Sequence, residues 1–444
     1  MRFHSFYDLI SSYAEETPES PAFMHLADSL KSVSYLDFLH TVSARADELR
    51  DCGKTCLGVF TDSSLECITE VFAAVHAGLQ VVMLDDNLPD AMLASLIEYT
   101  DVDILWGDDE LKEAMEPHLT SGVTGGSGKI LFFTSGTTDR SKAVVLTEDS
   151  LLASAWNGGA LLPLRREDIL LCMLPLNHVF GFVCSLLWGL SCGACVAVGR
   201  GPRHYHDDCM TFRPTALSAV PMLWGFLLKM NAVNPELKLV LIGAGDCPKD
   251  LIAAGTALGI HTCFGYGLTE TSSGVALSTS GNPYAMEICP DDRILIAPDG
   301  EILINAPTCI MQGYYKMPEA TEAALKDGIL YTGDLGYIDD DQKLHINGRK
   351  KEMIVLSDGT KLFLPEYEHE CREALGVEDL CIYMKDNILT LLVVSDTIAP
   401  GEVLPKLRDV FDARPRGQQI RRAEVRSDPL PKTATGKLKR WEIR

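Results

Sequence analysis

Basic residues are scarce. The 444-residue chain holds 39 Lys and Arg against 62 Asp and Glu, a formal charge of −23, so a duplex nucleic acid or an anionic membrane surface is a poor partner for the body as a whole. Charge of either sign is missing altogether between Ile169 and Gly199, and residues 179–198 are long enough to span about 30 Å as a helix. Pro175, Gly181, Gly189 and Gly193 interrupt that stretch, and Gly193 reads as a helix stop ahead of a strand at Ala194–Val198. A buried helix and strand lining an apolar cavity is therefore expected, with no membrane span. No signal peptide precedes the fourteen cysteines, which read as reduced thiols of a cytoplasmic protein. Cys192 and Cys195 form the only CxxC pair, and without a second pair or a nearby histidine cluster no metal or redox site is expected there. Internal repeats and low-complexity tracts are also lacking.

What is present suits a folded protein of two or three domains, with 46% hydrophobic and 23% charged residues. Apolar runs of strand length at Leu57–Phe60, Val81–Leu84 and Asp103–Trp106 alternate with helical patterns near Ser63–Gly78 and Pro89–Tyr99. The rhythm resumes at Ala216–Val220, Leu239–Ile242 and His261–Tyr266. Such alternation argues for an α/β fold, a large N-terminal body of parallel-rich sheets sandwiched by helices. From Asp299 short strands and turns predominate, as in the Asp339-Asp340-Asp341 turn, so a small β subdomain is expected over about 285–347. Beyond Lys351 the charge becomes balanced, and residues 414–444 are locally basic. A boundary near Lys351 divides the chain into residues 1–350 and a small, mobile α+β domain over 351–444.

Candidate chemistry begins after the apolar run Ile130–Phe133. The segment Thr134-Ser135-Gly136-Thr137-Thr138 with Lys142 offers backbone N–H, hydroxyl and ammonium donors, the set that wraps phosphate oxygens, although the glycine spacing is not that of a Walker loop. On this stretch alone, a solvated Ser/Thr turn is the plain alternative. The segment resembles the TSGTTGxPKG phosphate loop of the adenylate-forming superfamily, which includes acyl- and aryl-CoA synthetases, luciferases and the adenylation domains of peptide synthetases. Asp139 and Ala143 stand where that family has glycines, and Ser141 where it has proline.

The resemblance continues in order down the chain. Phe264-Gly265-Tyr266-Gly267-Leu268-Thr269-Glu270 is similar to the family's YGxTE motif, which implies that Tyr266 and Gly267 meet adenine, Thr269 the α-phosphate and Glu270 a Mg²⁺ ion. Asp334 in Tyr331-Thr332-Gly333-Asp334 resembles the ribose-binding aspartate, and Arg349 the ribose-contacting arginine. Lys351 falls at the family's hinge. Pro431-Lys432-Thr433-Ala434-Thr435-Gly436-Lys437 matches the C-terminal motif whose lysine, here Lys437, stabilises the charge that builds between carboxylate and α-phosphate. Gly243-Ala244-Gly245 is implied to pass close to adenine and acid; on its own it reads equally as a strand-to-helix turn.

For the acid, Pro175-Leu176-Asn177-His178-Val179-Phe180-Gly181 resembles the acyl/aryl-ligase signature, with His178 beside the carboxylate. Between Asn177 and Cys195 there is no acidic residue to pair with an ammonium group, which disfavours an α-amino acid. Phe180, Gly181, Phe182, Leu186, Leu187 and Trp188, with Val220 and Met222 from a second stretch and Gly265 from a third, are expected to wall the pocket for an acyl or aryl tail. The resemblance thus implies an ATP-dependent acid–thiol ligase. A fatty or aromatic carboxylate attacks the α-phosphate of Mg·ATP, pyrophosphate leaves, and the acyl group passes from acyl-AMP to the thiol of CoA, or of phosphopantetheine on an acyl carrier protein. Arg414, Arg416, Arg421, Arg422 and Arg426 are candidates for the phosphates of CoA or an acidic carrier surface. The substitutions at 139, 141 and 143 leave a non-catalytic nucleotide-binding protein on the same fold as the alternative from another class.

Overall fold

The computed structural model describes residues 2–123, 128–134, 142–245, 247–280, 282–356, 361–386, 388–412, 414–432, 438 and 440–443. Among them, a six-stranded and a nine-stranded sheet make up the body. Strands Cys56–Phe60, Gln80–Leu84, Ile104–Trp106 and Lys129–Phe133 of the first are parallel, and helices Leu65–His76 and Asp90–Tyr99 connect the first three. Ala143–Thr147 and Gly313–Tyr314 extend this sheet in antiparallel fashion. The second sheet runs parallel through Cys195–Val198, Ile169–Cys172, Ala216–Ala219, Leu239–Ile242 and His261–Leu268, and Ser273–Ser278 then turns back along the last of these.

Both sheets are covered on both faces, which explains why their strands are apolar throughout. Successive side chains alternate sides: Val81 and Met83 enter the core shared by the two sheets, whereas Val82 and Leu84 enter a core on the far face. The shared core is filled by helices Phe6–Glu16, Tyr35–Asp51, Leu65–His76 and Glu148–Leu161. Helices Tyr205–Phe212, Pro221–Lys229 and Lys249–Ala257 cover the outer face of the nine-stranded sheet around the fully buried Trp224.

The uncharged segment forms strand Ile169–Cys172, helical turns from Val179 to Ser191 with a π turn at Val183–Leu187, and strand Cys195–Val198. Gly193, at φ 70°, makes the break. Among the described residues no helix is long and apolar enough to cross a membrane. The expected cavity wall needs correction. Phe182, Leu186 and Leu187 are completely buried, with the Phe182 ring 5.9 Å from Phe6 and 5.6 Å from Phe132. Trp188 is buried with its indole N–H donating to the Leu162 carbonyl at 3.1 Å. A helix that is apolar all round is covered on every side; Phe182, Leu186 and Leu187 therefore pack the core shared by the two sheets, and Trp188 a smaller cluster with Leu162, Leu170 and Ala216, instead of lining an open cavity.

A five-stranded antiparallel sheet follows, built from Arg293–Ile296, Glu301–Asn305, Leu325–Lys326, Ile329–Ile338 and Leu344–Arg349. After Arg349 the chain forms helix Leu364–Leu375 and a three-stranded sheet of Leu380–Lys385, Ile388–Val394 and Arg422–Arg426. Their core, centred on Tyr367, Cys371, Leu391 and Val403, draws, among the described residues, only on those from Ile354 to Val425. We propose a domain division near Lys351 on the strength of this separate core.

Candidate active site

Strand His261–Leu268 carries Gly265, Tyr266 and Gly267 to the end of the nine-stranded sheet, beside the five-stranded one. There the Tyr266 hydroxyl donates to Asp334 Oδ2 at 2.8 Å, and Arg349 Nε lies 3.0 Å from Asp334 Oδ1. Asp334 and Arg349 face each other across neighbouring strands, so the sheet register itself fixes the pair. The turn before Asp334 is anchored: Gly333 N–H donates to Glu301 Oε1 at 2.8 Å, and Lys350 lies 2.6 Å from Asp299 while also pairing with Glu301. Burial, and then the neighbouring Asp334 carboxylate, push the Tyr266 phenol well above its ordinary range. It remains a donor at any physiological pH.

A second cluster forms where the chain leaves the same strand. Thr269–Thr271 make a single 3₁₀ turn, and Ser272 and Ser273 take positive φ as the chain reverses into the next strand, which leaves Glu270 half-buried at the tip. Glu270 Oε1 accepts from the Tyr314 hydroxyl at 2.7 Å, and the Glu270 carbonyl accepts from Met311 N–H at 2.8 Å. Lys142 Nζ lies 4.3 Å from the centre of the same Tyr314 ring. Burial and Glu270 raise the Tyr314 phenol far above its usual value.

Thr134 and Lys142 are the two feet of a hairpin, since Phe133 pairs with Ala143 and Thr134 N–H donates to the Lys142 carbonyl at 3.0 Å. Ser135, Gly136, Thr137 and Thr138, with Asp139 and Ser141, lie outside the described residues. The fold thus brings the exit of this hairpin against Glu270 through Tyr314. Glu270 supplies hard carboxylate oxygens, and among the described residues no group of three or more His, Cys, Asp or Glu is placed to hold a metal. A cation here would complete its shell with phosphate oxygens and water, the habit of Mg²⁺.

On the acid side, Gly243 abuts the ring of Phe180 so closely that a Cβ would sit 2.8 Å from its Cζ, and a Cβ on Gly245 would lie 3.5 Å from Pro221. Ala244 between them adopts φ 63°. The segments 178–181, 220–222 and 243–245 therefore meet. His178 heads the helical turns, with its carbonyl accepting from Phe182 N–H at 3.0 Å, and Gly181 lies tight against the Pro175 carbonyl. Val220 is half-buried, whereas Met222 stands 80% exposed and closes nothing off by itself.

In the C-terminal part, Lys437 lies outside the described residues, but described residues on either side of it are held. Lys432 bridges to Leu438 and pairs with Asp379 at 2.7 Å. Arg440 places both terminal nitrogens 2.7 Å from the two oxygens of Glu368. Arg414 is not a phosphate donor in this arrangement: it pairs with Glu370 at 2.7 Å and lies 4.1 Å from the Tyr367 ring centre, with its side chain only 18% exposed.

The family model described as AMP-binding enzyme matches residues 127–315, a span that holds the hairpin, Glu270 and Tyr314 together. That span, somewhat under half of the chain, is similar to AMP-binding enzymes. The chain is 26% identical to a 2-succinylbenzoate–CoA ligase of Bacillus cytotoxicus, over 87% of this chain and 88% of that one. Among solved structures it is similar to O-succinylbenzoate coenzyme A synthetase from Bacillus subtilis bound to ATP and magnesium ion, with 22% identity, a TM-score of 0.85 and 98% of each chain covered. The same enzyme with an acyl-adenylate intermediate gives a TM-score of 0.86 at 21% identity, covering 98% of this chain and 97% of that one. At such identity the structural likeness speaks for the fold alone.

Sequence reasoning overlooked Tyr314. The only hint was Gly313-Tyr314-Tyr315 in a turn-rich stretch, and Gly313 at φ 145° does mark a special backbone. That the ring behind it would reach both Glu270 and Lys142 depends on an antiparallel pairing with the strand after the hairpin.

Proposed function

We propose that this chain is an AMP-forming acid–thiol ligase acting on an aromatic carboxylic acid, with CoA as the thiol. The observation that carries the proposal is the pair of clusters spread along one strand and its exit. Asp334 with Tyr266 and Arg349 suits a ribose, and Glu270 with Lys142 suits a metal-bound triphosphate. Between them Thr269 would meet the α-phosphate, and the acid would approach from the side of His178, Phe180 and Gly243.

In this mechanism the carboxylate attacks the α-phosphorus in line with pyrophosphate, which leaves with the electrons of the broken P–O bond. Lys142 and Thr134–Thr138 hold the departing phosphates; Glu270 would hold Mg²⁺, whose charge offsets that of the phosphates. Lys437 is brought in from the C-terminal domain to neutralise the growing charge at the α-phosphate. After a swing about Lys351, the thiolate of CoA attacks the acyl carbon and AMP departs.

The aromatic choice is supported by the names of the curated relatives, which specify 2-succinylbenzoate, and by the Phe180 ring packed on Gly243. The fatty-acid expectation finds no support in those names, and the carrier-protein alternative finds none either. The test is pyrophosphate release with a panel of acids at saturating ATP. Activity with 2-succinylbenzoate or simpler benzoates, far above that with fatty acids of any length, is expected. Equal or better turnover of a fatty acid overturns the aromatic assignment, and a side-by-side comparison of CoA with a phosphopantetheinylated carrier decides the acceptor.

A further inference from the structure

Tyr314 makes two separate contacts with two separate charges. Its hydroxyl reaches Glu270 Oε1 at 2.7 Å, and the face of its ring lies 4.3 Å from Lys142 Nζ. The side chain is only 8% exposed, and its backbone is clamped on both flanks. Tyr314 N–H donates to Thr321 Oγ1 at 2.9 Å, Gln312 N–H to the Val145 carbonyl at 2.9 Å and Tyr315 N–H to the Ala143 carbonyl at 2.8 Å. A ring fixed in this way restricts two side chains that would otherwise sweep a wide range of rotamers, a glutamate and a lysine arriving from segments far apart in sequence.

We propose that Tyr314 is a positioning residue for the triphosphate: its hydroxyl aims the Glu270 carboxylate at the bound cation, and its ring seats the Lys142 ammonium beside the phosphates. The inference rests on the ATP-dependent function proposed above. Tying one carboxylate oxygen to a phenol limits rotation of the other, so the carboxylate meets an incoming cation without first losing torsional freedom. The ring face attracts the ammonium through its quadrupole and engages only one side of it, so the group keeps further N–H donors for phosphate oxygens. The two tasks are chemically separable, because phenylalanine keeps the ring and loses the hydroxyl.

The experiment is equilibrium binding of ATP and of AMP to the full chain by calorimetry, with Mg²⁺ or with EDTA, for the wild type, Tyr314→Phe and Tyr314→Leu. Tyr314→Phe should weaken ATP binding about 10-fold in Mg²⁺, the usual worth of one hydrogen bond to a charged group, and leave ATP binding in EDTA and AMP binding unchanged. Tyr314→Leu should in addition weaken ATP binding in EDTA by about 3-fold, the worth of a modest cation–π contact, again sparing AMP. Unaltered Mg²⁺-dependent binding in Tyr314→Phe overturns the inference while leaving the proposed function intact. Equal weakening of AMP and ATP in both variants also overturns it, since that pattern reports a merely structural role. Absence of Mg²⁺-dependent ATP binding in the wild type removes the proposed function itself, and the inference with it.

Discussion

Asp334 meets Arg349 at 3.0 Å across two adjacent strands, and Glu368 meets Arg440 at 2.7 Å between a helix and the C-terminal segment. The carboxylate is nearly sealed in both pairs, but the arginine side chain is 43% exposed in the first and 22% exposed in the second. Glu368 spends both oxygens on Arg440 and accepts from Ile382 N–H at 2.6 Å as well. An arginine with an open fork keeps donors available to a ligand, whereas a two-pronged, desolvated pair fixes one segment onto another. The same chemistry thus leaves one arginine accessible in the body and anchors the C-terminal segment through the other.

Breaking the closed pair is expected to have the largest effect. Glu368→Ala strands a buried guanidinium, and the first unfolding transition in urea should lose about 3 kcal/mol; a loss below about 1 kcal/mol would mean the pair is no more than a surface contact. Next in size, Lys437→Ala should lower acyl-adenylate formation by about 10²-fold or more, the usual worth of one charge-stabilising donor. Thiol transfer from premade acyl-adenylate should survive that change, and its equal loss would reveal general damage to the domain. The open pair should respond in the opposite sense to the closed one. Asp334→Asn should raise the KM for ATP about 10-fold while the urea midpoint barely moves, so a large stability loss with unchanged KM would make the two pairs alike.

The smallest expected effect concerns a part of the body remote from both pairs. Burial, then repulsion from Asp291, raises the Asp292 carboxyl to about 7, although Asn157 donates to it at 2.8 Å. Its folded pKa lies above its unfolded one, so the native state binds the extra proton and this contribution is complete below about pH 4. It declines as pH rises through 7. Asp292→Asn should therefore flatten the fall in Tm between pH 5 and 8; an unchanged slope would place the pH sensitivity elsewhere, with Glu148, also raised to about 7 by burial, the next group to replace.

Strand and helix positions in the parallel part were legible because strands covered on both faces are apolar throughout and the helices between them keep a regular period. Leu239–Ile242 occurs as expected, and Pro89–Tyr99 differs from the observed helix Asp90–Tyr99 by one residue. Apolar character misled at Phe182, Leu186 and Leu187, because a side chain facing a cavity and one filling a core have the same composition. Burial between two sheets decides the matter, and no local pattern reports it. Tyr266, Asp334 and Arg349 could be named from short motifs, and the fold joins them by direct contacts.

The order of the motifs, the types of side chain they carry and the period of the strands were determined by the sequence alone, since each is a property of neighbours along the chain. Tyr314 belongs to the other class. Its partner Glu270 is 44 residues away, and Lys142 lies farther still along the chain. Only the antiparallel addition of a two-residue edge strand beside Ala143–Thr147 brings the three together. Tertiary structure decided that contact because strand register is set by packing and hydrogen bonding across the sheet, and the residues that settle it are not adjacent in the chain.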